Sequence, residues 1–157
     1  MKFLIDTNIC IYIMNNHPPE VLQKFKSTGV GKVGISSITV SELHYDACKS
    51  NHIKKNINRL DEFLSPFEIL SYDENASRYY GKIRSQLEKQ GNIIGPLDVL
   101  IAAHALSNNL ILITNNVKEF MRIKSLQVEN WVEKQGTEQS HSRTKINPDR
   151  WAKTESL

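Results

Sequence analysis

Cysteine is nearly missing from this chain. Cys10 and Cys48 are the two present, too few for a disulfide framework, so a reducing compartment is the default. Glycine and proline are scarce as well, seven and five among 157 residues, which excludes collagen-like and low-complexity chains. No stretch approaches the roughly 20 apolar residues of a membrane span. The apolar start, Phe3-Leu4-Ile5, meets Asp6 at once, and an acid there spoils the apolar core of a secretory signal. The expected location is therefore the cytoplasm, with no membrane partner. The formal net charge of +3 gives no strong electrostatic steer toward or away from nucleic acid. Several chemistries lack their parts. There is no glycine-rich phosphate loop and no Gly-x-Ser-x-Gly elbow. His17, His44, His52, His104 and His141 show no zinc spacing with the two cysteines.

What remains is an ordinary globular composition, 39% hydrophobic and 24% charged, of a length that suits one domain. The pattern along the chain is short apolar runs alternating with helical periodicity. Strands are expected at Lys2–Ile5, Val33–Ile35, Phe67–Leu70 and Leu110–Ile113, with Gln127–Glu129 as a possible fifth. Between them, Ile9–Met14 is apolar all round. A second helix opens at Pro18-Pro19-Glu20 with Val21, Leu22 and Phe25 inward. Ser36-Ser37 caps a third through Lys49, and Ile53, Ile57, Leu60 and Leu64 mark a fourth. Ala76, Tyr79, Tyr80, Ile83 and Leu87 mark a fifth, and Pro96 starts a sixth that runs to Asn108. A short helix is expected at Val117–Met121. The class is α/β, a parallel sheet covered on both faces. From Glu133 to Leu157 the apolar side chains are Ile146, Trp151, Ala152 and Leu157. A domain over 1–132 and a polar, mobile tail over 133–157 are expected.

Four acids stand out by position. Asp6 follows the first strand, where open α/β sheets place their sites, although it also suits a helix cap. Asp98 lies in Pro96-Leu97-Asp98-Val99-Leu100-Ile101-Ala102-Ala103, so apolar that a carboxylate buried there without compensation would cost several kcal/mol. The milder reading is a first-turn acid that complements the helix dipole. Glu42, one turn into the third helix, and Glu119, in the helix after the fourth strand, each read alone as surface acids. Together the four sit where the carboxyl ends of parallel strands converge. Carboxylates gathered there repel unless a cation neutralises them. Oxygen ligands suit Mg²⁺ or Mn²⁺, and such an ion can activate water for attack on a phosphoryl group. His104 follows Asp98 by six residues, so it does not share its face, and reads as a packed or partly exposed histidine.

Leu4-Ile5-Asp6-Thr7-Asn8, Ser41-Glu42-Leu43, Ile94-Gly95-Pro96-Leu97-Asp98 through Ala105, and Ile113-Thr114-Asn115-Asn116-Val117-Lys118-Glu119-Phe120 resemble, in order and spacing, a PIN-domain ribonuclease toxin of the VapC family. The resemblance covers residues 1 to 132. It implies a three-layer α/β/α sandwich with a short-stranded parallel sheet. It implies hydrolysis of RNA with Mg²⁺ or Mn²⁺, a homodimer, and inhibition by a VapB-type antitoxin whose basic side chain reaches the acidic pocket. The family's metal-site acids fall on Asp6, Glu42 and Asp98, with Asp6 and Asp98 as the metal ligands. Many members carry a fourth acid where this chain has Asn116. Here Glu119 takes that role by analogy with the subgroup reading Thr-Asn-Asn, while Thr114 and Asn116 are secondary polar groups. Gly95-Pro96-Leu97-Asp98 and Thr114-Asn115-Asn116 also resemble the enteric-type toxins that cut initiator tRNA in the anticodon stem-loop. For RNA contact, Lys82, Arg84 and Lys89 on the fifth helix compete with Lys54, Lys55 and Arg59 on the fourth. The fifth leads into the Asp98 loop, which favours Arg84.

Two alternatives stay open at this point. A haloacid dehalogenase-type phosphatase also ends strand one in Asp, but it wants a second Asp two positions on, where this chain has Asn8. A catalytically silent PIN-fold RNA-binding module would explain Asn116 but not the retention of Asp6, Glu42 and Asp98. The apolar circumference of Ile9–Met14 suggests a groove for an amphipathic antitoxin segment, unless the helix carrying Val21, Leu22 and Phe25 covers it.

Overall fold

Apolar runs of three or four residues are too short to make helices. Buried on both faces, they make parallel strands. The computed structural model, which describes residues 1–133, uses them so. β1 (Phe3–Ile5), β2 (Val33–Ser36), β3 (Glu68–Leu70), β4 (Ile111–Ile113) and β5 (Val128–Glu129) form one sheet in the order β3-β2-β1-β4-β5. Every neighbouring pair is parallel. The helices of the described residues are α1 (Thr7–Asn15), α2 (Pro19–Thr28), α3 (Ser37–Cys48), α4 (Ile53–Leu64), α5 (Glu74–Lys89), α6 (Pro96–Ser107) and the single turn α7 (Val117–Phe120).

The two-residue period of the strands sorts side chains into two cores. Phe3 and Ile5 of β1 and Ile113 of β4 join Ile9, Val21, Leu43 and Leu60 on the α1–α4 side. Leu4 and Leu112 point the other way, to Ile83, Leu87, Ile101 and Phe120 on the α5–α6 side. The result is the expected three-layer α/β/α sandwich. β1 is central and wholly buried. From it the chain builds β2 and β3 on one side, then crosses to build β4 and β5 on the other. Strand order therefore reverses beside β1, and the carboxyl ends of β1 and β4 border the crevice where such sheets hold their ligands.

Some expectations need correction. β3 and β4 each begin one residue later than expected, and β3 is a largely exposed edge strand, with Glu68 and Ile69 open to solvent. Ile53 is exposed, so the inner row of α4 begins at Ile57. Asn56 is buried there instead, donating to Ser50 Oγ at 2.8 Å. Tyr79 of α5 is also exposed. The apolar circumference of α1 is mostly covered: Ile9, Cys10, Ile11 and Ile13 are buried, and Tyr12, Met14, Leu22 and Phe25 pack partly against the same core. The tail expected from 133 onward lies, beyond Glu133, outside the described residues. No helix among the described residues is long and apolar enough to cross a membrane.

α6 reads from sequence as apolar on nearly every face, yet its first turn is open. Leu97 is 41% exposed and Asp98 is half-buried, whereas Ile101, Ala102, Ala103 and Ala105 are buried. Truncating Ile101 to Ala should lower the unfolding free energy by about 2–4 kcal/mol. Leu97→Ala on the same helix should change it by no more than about 0.5 kcal/mol. Urea unfolding of the two variants reads the difference directly.

Candidate active site

Asp6 is the first residue after β1, and its backbone N–H still donates to Ile113 O of β4 at 3.1 Å. The strand pairing thus carries Asp6 to the crevice and holds it beside Thr114, the first residue after β4. The side chain is tied at both oxygens. Oδ1 accepts from Ile9 N at 2.9 Å, which caps α1. Oδ2 accepts a short hydrogen bond from Thr114 Oγ1. Thr114 is fully buried, and its own oxygen accepts from Asn116 N at 2.9 Å. Capping and site formation are therefore one arrangement here, not alternatives.

Asp6 is 5% exposed. Burial pushes its pKa from 3.8 up to about 6. The Thr114 hydroxyl and the Ile9 amide pull down, and the charges of Asp98 and Glu42 push up again. Three of the four acids expected at the site are therefore brought within electrostatic reach of one another. The Cys10 thiol, buried one turn into α1, is pushed well above its usual range by burial and by the Asp6 and Glu42 charges. Negative charge dominates the crevice.

Glu42 and Asp98 arrive from different helices, and both are half-buried. Glu42 lies in α3, whose start is set by the Ser36 cap. Its Oε2 accepts from Thr7 Oγ1 at 2.5 Å, so α1 orients this carboxylate as well as that of Asp6. Asp98 lies in the first turn of α6, after Gly95 and Pro96, where the helix dipole favours an anion. In the sequence Thr7 is marked only as the neighbour of Asp6 in Asp6-Thr7-Asn8. Its contact with Glu42 spans 35 positions. The buried acid Asp46, one turn beyond Glu42 on α3, was not anticipated either.

Glu119 is placed differently. It lies in α7, half-buried, and its Oε2 accepts from Arg122 Nη1 at 3.2 Å. The same Arg122 nitrogen donates to Ile93 O at 2.9 Å, in the loop before α6. Glu119 is not among the groups that shift Asp6. Asn116 is half-buried at the start of α7 and reaches the site through its backbone contact with Thr114. Arg84 is exposed on α5, bonded to Glu88 at 2.9 Å and to the Tyr80 hydroxyl at 2.6 Å. Its charge is thus answered on its own helix, outside the acid group. Among the described residues, no three His, Cys, Asp or Glu side chains form a ready-made metal shell.

Known proteins share this fold. A family model described as PIN domain matches residues 3–126. Ribonuclease VapC2 of Haemophilus influenzae is 46% identical over 132 residues, covering 84% of this chain and 99% of that protein. The tRNA(fMet)-specific endonuclease VapC of Shigella flexneri is 43% identical over 131 residues, 83% of this chain and 98% of its own. The structure of DNA-bound VapBC from Salmonella typhimurium matches with a TM-score of 0.80 at 39% identity, over 84% of this chain and 99% of that one. A strand-end acid tied to a threonine, facing two helix-borne acids, thus sits on a scaffold shared almost end to end with these proteins, and the chain belongs to the PIN domain family, among its VapC ribonucleases.

Proposed function

We propose that this chain is the toxin of a type II toxin–antitoxin pair, a divalent-metal-dependent endoribonuclease that cuts initiator tRNA in the anticodon stem-loop and is silenced by a VapB-type antitoxin. The observation that carries the reading is the buried Asp6 carboxyl at the β1/β4 crevice, with the Asp98 and Glu42 charges acting on it. The tRNA assignment rests on the Shigella and Salmonella relatives named as tRNA(fMet)-specific endonucleases. The antitoxin rests on the VapBC structures from Salmonella typhimurium and Rickettsia felis. A cytoplasmic homodimer fits the same reading, with the part-exposed Tyr12 and Met14 of α1 beside the antitoxin.

The donor set fits Mg²⁺ or Mn²⁺. Its groups are all oxygens, and Mg²⁺ ordinarily keeps several waters and binds through one or two carboxylates. Asp6 and Asp98 would hold the ion directly or through water, with Glu42 beside them. When bound, the ion neutralises the carboxylates and polarises water and phosphate for in-line hydrolysis. The chain's own residues do the rest. Thr114 and Ile9 N fix the Asp6 oxygens, and Thr7 fixes Glu42, so little reorganisation remains at the moment of reaction. Water attacks phosphorus and gives up a proton, the P–O3′ bond breaks, the departing 3′-oxygen takes up a proton, and the products carry 5′-phosphate and 3′-hydroxyl ends. Glu119, clamped by Arg122, is the proposed fourth acid, at the rim. Lys82, Arg84 and Lys89 of α5 are the proposed RNA-backbone contacts.

Incubation of the purified chain with initiator tRNA and Mg²⁺ should give a discrete cut, and EDTA should stop it. End analysis should find 5′-phosphate. A 2′,3′-cyclic phosphate would refute direct attack by water.

Asp6→Asn should abolish cleavage and leave the fold intact, since the amide oxygen keeps the Ile9 N cap and the amide N–H can donate to Thr114 Oγ1 in the reversed sense. The sign of its stability effect follows from the raised pKa. Below about pH 4 the carboxyl is neutral folded and unfolded, and no penalty exists. Above about pH 6 it is ionised in both, and the folded state carries a penalty of about 3 kcal/mol. In EDTA at pH 7.5 the variant should therefore unfold at higher denaturant than the unmodified chain, and Mg²⁺ should narrow the gap.

Glu119→Gln should slow cleavage less than Asp6→Asn and more than Asn116→Ala. Initial rates on one tRNA preparation give the order.

A further inference from the structure

We infer that Ser36 and His104 form a buried strut between α3 and α6 that holds Glu42 and Asp98 at their working separation, which makes both of them positioning residues for the hydrolytic site. The inference rests on the metal-dependent site proposed above. Neither side chain touches the acids. Each stands six residues from one of them, Ser36 before Glu42 and His104 after Asp98, which is about 9 Å along a helix. Both are fully buried.

The direction of the bond follows from the donors. Ser36 Oγ accepts from Ile38 N at 3.1 Å as the cap of α3. Its hydrogen is then available for His104 Nδ1, 2.8 Å away. Nδ1 is the acceptor, and Nε2 carries the proton. Burial lowers the His104 pKa, in keeping with a neutral ring. The ring plane is fixed as well. Tyr72 packs edge-on against it, with centroids 5.4 Å apart and planes at 77°, while Tyr72 N donates to Ser37 Oγ at 3.1 Å. The imidazole of α6 is thus wedged between the end of β2 and the chain just past β3.

Stability alone does not account for the pair. The Ser71 backbone and the Asp73 charge also act on the ring, but Nε2 makes no hydrogen bond of good geometry, so the well-formed contact of this imidazole is the one to Ser36. What a leucine of similar volume could not supply is a directional contact between the two acid-bearing helices. A shift of either helix would move its carboxylate relative to Asp6, which is anchored independently by Thr114 and Ile9 N.

The test is Mn²⁺ binding to the full chain, without RNA, followed by electron paramagnetic resonance, with thermal unfolding measured in parallel. His104→Leu should bind Mn²⁺ about tenfold more weakly at temperatures where thermal unfolding shows it fully folded, with a modest fall in melting temperature in EDTA from the stranded Ser36 hydroxyl. His104→Asn, whose Oδ1 falls near the position of Nδ1, should restore most of the affinity. Ser36→Ala combined with His104→Leu should be no weaker than either change alone, because one contact is removed once. Undiminished Mn²⁺ affinity in His104→Leu would overturn the strut and leave the site reading standing. Should that variant not fold, undiminished affinity in Ser36→Ala would do the same. An unmodified chain that binds Mn²⁺ no better than Asp6→Asn would overturn both.

Discussion

A carboxylate withdrawn from water must be answered by dipoles or by a cation, and the crevice of this protein is organised around one such carboxylate. Asp6 is answered in part by Ile9 N and by the Thr114 hydroxyl. Those contacts fix the start of α1 and lock the end of β1 to the end of β4. They do not fully offset burial, since the pKa still rises to about 6. The Asp98 and Glu42 charges deepen the imbalance, and a divalent ion held at the proposed site would remove it.

The scaffold makes this possible through topology more than through any local motif. Asp6 and Thr114 lie 108 positions apart and meet because β1 and β4 are neighbours. Two separate cores hold the sheet between them. One core steadies α1 and α3, which carry Asp6's cap and Glu42. The other steadies α6 and α7, which carry Asp98 and Glu119. Asp6, Glu42 and Asp98 thus come from both faces of the sheet to the carboxyl ends of β1 and β4, while Glu119 stands apart with Arg122.

Legibility in the sequence followed the range of the forces involved. The short strands and most helices were readable because hydrophobic periodicity is local. Asp6 and Asp98 were readable because each breaks an apolar context. Glu42 looks like any surface acid, and only its register with the other motifs singled it out. Its partner Thr7 carries no mark in the sequence beyond standing next to Asp6. The burial of α6 was overread, because an apolar segment reveals how much surface it could bury and not whether a neighbour is there to cover Leu97. Ile53 was misplaced for the same reason at the exposed start of α4. The contact between Ser36 and His104 was invisible, since a serine and a histidine 68 positions apart have no shared period.

The pairing of β1 with β4 also sets a timetable. During synthesis the first acid leaves the ribosome long before the threonine that completes its surroundings. At about 5–20 residues per second, the 108 residues between Asp6 and Thr114 take about 5–20 s. Asp98 emerges only shortly before Thr114. A nascent chain therefore lacks the crevice through most of its elongation, though it already carries Asp6, Thr7 and Glu42. The carboxyl ends of β1 and β4 thus meet only after the α1–α6 helices have already been made.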